Sequence, residues 1–293
     1  MVAKLGSIGE PPASRNSPEG IAVRLSMRYL VPPMAAHAPT SGIAELLRDW
    51  RGRQRVSQLE LALRAGTTQR YVSFIERGRS LPGRSMVVRL AEALEIPLRE
   101  RNAMLLAAGY APAYPETTLD DPQLDPIRSA LERILDGHRP YPAVITDVGA
   151  NLVSSNDAFR ALIDGVSPTL LEPPTNIGRL LLHPKGLAPR ILNIDEWGRH
   201  VIDSLRRKAE RHPAAGLEAL ADELEALLPS PQPEASPGHL GFAVPLRLRT
   251  VDGQLQLLTT LTHFATAANV TVSELTLEAF LPGDQATADY LAN

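Results

Sequence analysis

The chain contains no cysteine, which excludes disulfide bonds and thiolate metal ligands. It also lacks an uncharged apolar run of about 18 residues, so no membrane-spanning helix is predicted. Its first residues lack the apolar core of a signal peptide. These absences favour a protein that acts in the cytoplasm and does not bind a membrane.

Sequence patterns of catalysis are absent as well. The seven histidines are scattered, and none forms a pair at metal-ligand spacing on a helix. There is no Gly-x-Ser-x-Gly turn, phosphate-binding loop or Rossmann glycine pattern. We therefore expect neither an enzyme nor a bound metal or cofactor.

Lysine is scarce, since 27 of the 30 basic side chains are arginines, and charge is unevenly distributed. Residues 1–40 have 4 basic and 2 acidic residues, a net +2. Residues 41–110 have 12 and 7, a net +5, whereas residues 111–293 have 14 and 24, a net −10. A basic segment followed by an acidic one indicates that the basic segment binds a polyanion. Ordinary scatter of surface charge is the alternative.

The length of 293 residues favours two domains. The N-terminal stretch mixes Pro, Ser, Ala and Gly without periodicity and is predicted to be disordered, with Met1, Met27 and Met34 as candidate translation starts. A second stretch rich in proline and acidic residues is a predicted linker. The predicted units are a tail at 1–40, a domain at 41–110, a linker at 111–123 and a domain at 124–293.

Apolar residues at helical spacing predict an all-α domain of five helices within residues 41–110. Ser41 is a candidate N-cap of the first helix, and Gly109 is predicted to end the last one in a left-handed conformation. The helices are predicted to begin near Ile43, Ser57, Thr68, Ser85 and Leu98.

Residues 56–79 have the layout of a helix-turn-helix, with Gly66 at the tight turn. Ser57 and Glu60 form a capping box at the start of its first helix. The side chains predicted to face inward from that helix are Leu59, Ala62 and Leu63.

The second helix of this motif has a polar edge and an apolar edge, separated by helical geometry. Val72 and Ile75 lie on the apolar edge, and Gln69 and Arg70 lie on the polar one. Glutamine can pair with adenine and arginine with guanine in the major groove. The pattern predicts binding to double-stranded DNA, and a helical bundle with a merely solvated edge is the alternative.

The motif resembles the helix-turn-helix of the phage-repressor-like family, also called the xenobiotic-response-element (XRE) family. Members of that family usually bind DNA as twofold dimers, so the resemblance implies a homodimer on two half-sites. The matching elements are Ser57-Gln58, Leu61-Ala62, Ala65-Gly66, Ser73, Ile75-Glu76 and Gly78-Arg79.

The same resemblance implies roles for the polar side chains. Gln58 is expected to brace the first recognition residue against the backbone, while Gln69 and Arg70 are expected to read bases. Thr68 and Arg77 are expected to contact phosphates. Ser73 is expected to face bases or phosphates.

The C-terminal region has a mixed pattern that predicts an α+β domain with an antiparallel sheet. Asp125-Pro126 is a predicted helix start, and Asp252-Gly253 is a predicted hairpin turn between alternating apolar residues. Helices are predicted at 195–210 and 214–228 and a Pro-rich loop at 229–238. Strands are predicted at 142–155, from Phe242 to Leu261, and near Val270–Phe280.

The start of this region resembles the opening of a PAS domain, in which a strand, a glycine turn, a second strand and an Asn-capped helix follow one another. Gly149 is predicted to allow the turn, Asn156 to cap the helix and Phe159 to anchor that helix in the core.

Over residues 43–293 the chain resembles a narrower group, helix-turn-helix regulators with an MmyB-like ligand-binding domain. That resemblance implies a PAS-like pocket for a small hydrophobic effector, with a long-chain fatty acid as the leading candidate. The residues that carry it are Pro142-Ala143-Val144, Asn151-Leu152-Val153, Asn156, Asn176 to Leu180, His183-Pro184, Trp197 and Ser204-Leu205-Arg206.

A carboxylate-headed lipid needs an apolar tunnel with a cationic or hydrogen-bonding mouth. Arg179 beside Asn176 is the first candidate for the mouth, with His183 and Arg190 behind it. The residues predicted to line the tunnel are Leu180, Leu181, Trp197 and Phe264. In the alternative, Asn176 caps a helix, Arg179 pairs with an acid and the apolar residues only pack a core.

Two functions remain open from the sequence. In the first, the chain is a transcription regulator that responds to a small ligand. In the second, it is a DNA-binding regulator whose C-terminal domain serves only dimerisation or protein docking.

Overall fold

The structure is a computed structural model that describes residues 42–229, 243–251, 253–264 and 266–292. The predicted tail, Ser41, nearly all of the predicted Pro-rich loop, Phe242 and Asp252 lie outside the described residues.

Five helices form the N-terminal domain, as the apolar spacing predicts. They are α1 (Ile43–Arg53), α2 (Gln58–Arg64), α3 (Gln69–Glu76), α4 (Arg84–Ala93) and α5 (Leu98–Ala107). One buried apolar cluster joins all five, because each helix contributes a stripe of apolar side chains to it. Its fully buried members include Leu47, Leu61, Val72, Ile75, Val87, Leu90 and Met104.

Helix caps and turns in this domain follow the sequence. The hydroxyl of Ser57 accepts a hydrogen bond from the Glu60 backbone N–H at the start of α2. Gly66 and Gly109 have φ values of +63° and +82°, which only glycine adopts without strain. At α1, however, the N-cap is Gly42, and its cap has no side-chain hydrogen bond.

The prediction that Leu59 and Leu63 face inward is wrong. Leu59 is 53% exposed and Leu63 is 68% exposed, whereas Leu61 and Ala62 are buried. Residues four apart share one side of a helix, so Leu59 and Leu63 point the same way. The short α2 packs on α3 and α4 through its opposite side, and helical spacing alone does not say which side is covered.

Residues 111–121 form no helix or strand, but they pack against both domains. The backbone N–H groups of Ala113 and Tyr114 donate to Asn102 Oδ1 on α5, at 3.0 and 3.1 Å. Leu119 is buried in a cluster of the C-terminal domain. The predicted linker is therefore a packed connection.

The C-terminal domain is built on one five-stranded antiparallel sheet, in the order β2-β1-β5-β4-β3. Helix α6 (Asp125–Gly137) precedes it, and its N-cap is Leu124, so Asp125 is the first helical residue and not the cap. The strands are β1 (Ala143–Thr146), β2 (Leu152–Ser155), β3 (Leu246–Arg249), β4 (Gln254–His263) and β5 (Thr276–Pro282).

Six further helices surround the sheet. They are α7 (Asp157–Leu162), α8 (Ile177–Leu182), α9 (Ile194–Arg211), α10 (Leu217–Glu225), α11 (Val270–Ser273) and α12 (Gln285–Ala292). The strand predicted near Val270–Phe280 is thus a helical turn followed by a strand that begins only at Thr276. The terminal α12 has no counterpart in the sequence prediction.

The two faces of the sheet cover separate cores, since neighbouring residues of a strand point to opposite faces. Val144 and Phe280 belong to the main core, together with side chains from α7 to α10. Ala143, Ile145 and Leu277 belong to a smaller core that includes α6 and α11.

Of the roles predicted for Gly149, Asn156 and Phe159 in the PAS-like opening, those of Asn156 and Phe159 are confirmed. Asn156 caps α7 by accepting from the Phe159 N–H, and Phe159 is fully buried. The left-handed residue of the β1–β2 turn is Ala150, with φ +61°, and not Gly149. At Gly149 space is tight, because a Cβ there would lie 3.0 Å from Asn151 Nδ2.

Candidate functional site

Helix α3 presents the predicted polar edge to solvent. Thr68, Gln69, Arg70 and Arg77 are exposed and Ser73 is half-buried. The Thr68 hydroxyl accepts from the Tyr71 N–H at 3.2 Å and so caps the helix as well. The structure therefore brings these five residues together at one exposed edge.

Two arginines of this edge are held by Phe74. The guanidinium carbon of Arg70 lies 5.2 Å from the Phe74 ring centroid, and that of Arg77 lies 5.5 Å from it. The Nε of Arg77 also donates to the Ser73 carbonyl oxygen at 3.1 Å. Cation–π contact limits the freedom of both side chains.

The inner end of α3 is locked by a buried carboxylate, Glu76, which is only 3% exposed. Arg51 on α1 donates to both of its oxygens, at 2.6 and 3.0 Å, and Gln58 Nε2 donates at 2.7 Å. Arg48 donates to the Glu76 backbone oxygen. Gln58 therefore contacts Glu76 at the C-terminal end of α3, and not the first recognition residue that it was predicted to brace.

Burial by itself raises the pKa of Glu76, but hydrogen bonds from Arg51 and Gln58 and the charges of Arg51 and Arg48 outweigh it. The net pKa of Glu76 is lowered. The carboxylate is thus ionised and paired at neutral pH, which fixes α3 against α1 and α2.

Sequence reasoning did not identify Arg48 and Arg51, because the periodicity of α1 draws attention to its apolar side. One signal was present. Glu76 is a charged residue directly after the buried Ile75, at the end of the recognition helix, and a buried acid needs a basic partner.

The predicted mouth of the ligand pocket has a different arrangement. Asn176 caps α8 through the Arg179 N–H, and its amide donates to the Gly149 oxygen at 3.0 Å. Arg179 forms a bidentate pair with Glu223 on α10, with both contacts at 2.7 Å. Both side chains are thus engaged in the way the alternative predicts.

The side chains of the two residues predicted behind the mouth make separate contacts, although the His183 backbone N–H donates to the Arg179 carbonyl oxygen at 2.9 Å. His183 Nδ1 accepts from the Lys185 N–H at 3.0 Å, and Arg190 donates to the Leu162 oxygen at 2.9 Å. The first contact lies within the loop after α8, the second ties Arg190 to the end of α7, and neither joins these side chains to that of Arg179.

The predicted tunnel residues divide between the two cores. Leu180, Leu181 and Trp197 are buried together in the main core. Phe264 packs against the smaller core on the other face of the sheet. The structure therefore brings three of these four side chains together and leaves Phe264 apart from them.

Within the described ranges, no group of three or more His, Asp or Glu side chains could hold a metal ion. In the same part of the chain, no helix is both long enough and apolar enough to span a bilayer.

Comparison with known proteins supports the helical domain first. The sequence model of a family described as "Helix-turn-helix" matches residues 47–101. An HTH-type transcriptional regulator of Sinorhizobium fredii, y4dL, described as uncharacterized, is 42% identical over 59 residues. That match covers 20% of this chain and 30% of the relative, so this chain spans less than a third of the relative's length.

The C-terminal comparison covers more of the chain. The model described as "MmyB-like transcription regulator ligand binding domain" matches residues 127–293, which is more than half of the sequence. The chain belongs to the MmyB-like transcription regulators. Among solved structures it is similar to an RNA-binding Light-Oxygen-Voltage receptor, at 16% identity, with a TM-score of 0.27 and coverage of 85% of this chain and 60% of that one.

The two domains of this MmyB-like regulator meet at Arg99 on α5. Its guanidinium donates to both oxygens of Glu274, at 2.7 and 2.8 Å, and to Glu116 at 2.6 Å. Glu274 follows α11 and is buried. Arg53 also donates to the Glu210 carbonyl oxygen at 3.1 Å. These contacts tie the helix-turn-helix domain to the ligand-binding domain.

Proposed function

We propose that this MmyB-like regulator binds a specific double-stranded DNA sequence through α3, and that a small amphiphilic acid of the fatty-acid type controls that binding. The observation that carries the proposal is the contrast along α3. One edge is polar and exposed, while the opposite side is packed and braced by the buried Glu76. A helix presented in this way is suited to the major groove.

Charge supports the DNA-binding part. Residues 41–110 carry a net +5 and residues 111–293 a net −10, so attraction to phosphates is concentrated on the domain that holds α3. Gln69 and Arg70 are placed to read bases, and Thr68 and Arg77 flank them to contact the backbone. We further propose a homodimer on two half-sites about one helical turn apart, acting in the cytoplasm.

The ligand-binding family of the C-terminal domain and its large apolar core support the effector. Leu180, Leu181 and Trp197 lie in that core beside the curved sheet. An apolar interior with a few polar groups suits a molecule with a long apolar body and one acidic end.

Selection of bound DNA from a random pool tests the proposal, with the full-length protein and with or without dodecanoate. We expect one enriched motif with twofold symmetry and a change in its affinity on adding dodecanoate. Failure to enrich any motif would contradict the DNA-binding part.

An enriched motif whose affinity ignores dodecanoate would instead favour a C-terminal domain used only for dimerisation or docking. The Arg179–Glu223 pair favours this second function, because Glu223 already pairs with the arginine that was predicted to bind the acid. Mass spectrometry of the solvent-extracted protein provides a second readout, because a bound lipid would co-purify.

A further inference from the structure

Cross-strand register places two rows of side chains on the main-core face of the sheet. Val144, Glu278 and Leu261 are opposite one another across β1, β5 and β4. Thr146, Thr276 and His263 form the next row on the same face, since they lie two residues along each strand. This second row is polar at every position, although the face otherwise covers an apolar core.

Thr146 is fully buried, and among the described residues its hydroxyl has no hydrogen-bond partner. Its neighbour Thr276 is also buried but contacts His263 Nδ1 at 3.3 Å. A buried hydroxyl without a partner is unfavourable, and proteins retain such groups where a ligand or water completes the bond.

Lys208 on α9 is directed at the same corner. Its Nζ donates to the carbonyl oxygen of Asp147, the residue after Thr146, at 3.4 Å. Burial lowers the pKa of Lys208, and the carboxylates of Glu278, Asp147 and Glu274 oppose that shift. An ammonium group has three donor hydrogens, so this long bond, the one that Lys208 Nζ forms with the described residues, leaves donors for another acceptor.

The corner is open on the β4 side. Leu261 is 53% exposed although it lies in the row of Val144 and Glu278, and His263 at the end of the strand is exposed too. Strand β3 pairs only with the first residues of β4, so none of the described strands lies on the outer side of β4 from Leu258 onward. The exposed Leu261 and His263 therefore lie on the solvent side of the corner that holds Lys208 and Thr146.

We propose that Lys208 and Thr146 bind the acidic head group of the effector, whose apolar body lies over the exposed Leu261 of β4. This inference rests on the proposed function and replaces Arg179 with Lys208 as the cation at the head group. The ligand class is an amphiphile with one carboxylate or an equally compact anionic oxygen group.

Glu278 is the acidic neighbour of this site, since it lies opposite Val144 and Leu261 in the sheet. Burial raises the pKa of Glu278, and the charge of Lys208 opposes that shift. Arg179, in contrast, is already held bidentately by Glu223 near the surface.

Binding of dodecanoate and of dodecanol to the full-length protein, measured by titration calorimetry, tests the assignment. We expect Lys208→Met to weaken dodecanoate binding by about tenfold or more, because a charged hydrogen bond is lost. Dodecanol binding is expected to change little. Arg179→Met is the matched control at the rival cation, and it should leave dodecanoate binding unchanged.

The outcomes separate the two levels of the proposal. A wild-type protein that binds neither probe overturns both the effector and its head-group site. Wild-type binding of dodecanoate that survives Lys208→Met overturns the head-group site alone.

If Lys208→Met does not fold, Thr146→Val is the variant that tests the head-group site. It is expected to weaken dodecanoate binding several-fold without lowering the melting temperature, since it removes a buried hydroxyl that has no partner in the described protein. Unchanged dodecanoate binding by Thr146→Val overturns the assignment.

Discussion

At the residue scale, α3 contains two kinds of polar side chain, one exposed at its start and one buried at its end. Gln69 and Arg70 are exposed at its start, where a DNA base edge can reach them. Glu76 is buried at its end and pairs with Arg51 and Gln58. Changes at the first kind should alter recognition and leave folding intact, whereas changes at the second should alter folding first.

Gln69→Ala tests the first kind. We expect it to weaken binding to the selected motif by about 1–3 kcal/mol and to relax discrimination at one base pair, because a bidentate contact to a base edge is lost. Affinity measurements on the motif and on single-base variants check this. Gln123→Ala, at an exposed glutamine outside the helix-turn-helix domain, is the control. An equal loss on motif and random DNA would show that Gln69 does not read a base.

Glu76→Gln tests the second kind. It leaves Arg51 without its charged partner in a buried setting, and we expect a loss of about 2–3 kcal/mol in the free energy of unfolding. Denaturant unfolding measures it. The control is Glu60→Gln, which breaks the exposed pair with Arg64 and should cost about 0.5 kcal/mol or less. Equal losses for the two variants would contradict the role of Glu76.

The pH dependence of the Glu76 contribution follows from its lowered pKa. The folded-state pKa lies below the unfolded value of about 4.3. The stabilisation is therefore fully present above that pH and is lost as the pH falls through the folded-state value. Unfolding of wild type and Glu76→Gln between pH 7 and acid should show a difference that shrinks on acidification. A constant difference would contradict the assignment.

At the scale of elements, Asn156 joins three segments of the ligand-binding domain. Its Oδ1 accepts from the N–H groups of Ala143 in β1 and Phe159 in α7, at 3.1 and 3.0 Å. Its Nδ2 donates to the Tyr141 oxygen at 2.8 Å and to the Leu135 oxygen of α6 at 3.3 Å. One buried amide thus fixes the angle between α6, β1 and α7.

Asn156→Ala is therefore expected to cost about 3 kcal/mol in unfolding free energy, because several buried backbone groups lose their partner. Ser57→Ala is the matched control, since it removes an exposed cap with one bond and should cost about 1 kcal/mol. Thermal and denaturant unfolding check both variants. An effect no larger than that of Ser57→Ala would show that Asn156 acts as a simple cap.

Local signals predicted most of these elements, whereas contacts between distant segments were not predictable. Ser57, Gly66 and Asn156 mark caps and turns through their own backbone, so the sequence indicates them. Leu59 and Lys208 depend on which side of a helix is covered, and that is decided by packing with residues far along the chain. The Arg179–Glu223 pair spans 44 positions and has no local signature.

At the scale of the whole molecule, Arg99 places the DNA-binding and ligand-binding domains in register. It contacts Glu274 and Glu116 together, and the Pro115 oxygen accepts from the Val270 N–H at 2.8 Å nearby. The carboxylate of Glu274 also acts on the pKa of Lys208. The proposed head-group site and the domain junction therefore share one acidic residue.

Arg99→Met should loosen this junction and weaken communication between the domains. We expect the radius of gyration in solution scattering to rise and the dodecanoate-dependent change in DNA affinity to fall toward none, while DNA affinity without ligand changes little. Arg206→Met is the control, because Arg206 pairs with acids of α10 within one domain and lies on the same helix as Lys208.

In unfolding measurements, Arg99→Met combined with Glu274→Gln should be less destabilising than the sum of the single variants by about 1–3 kcal/mol, since the two side chains are in direct contact. Additive effects together with unchanged ligand dependence would show that the Arg99–Glu274 pair holds the domains together without transmitting the signal.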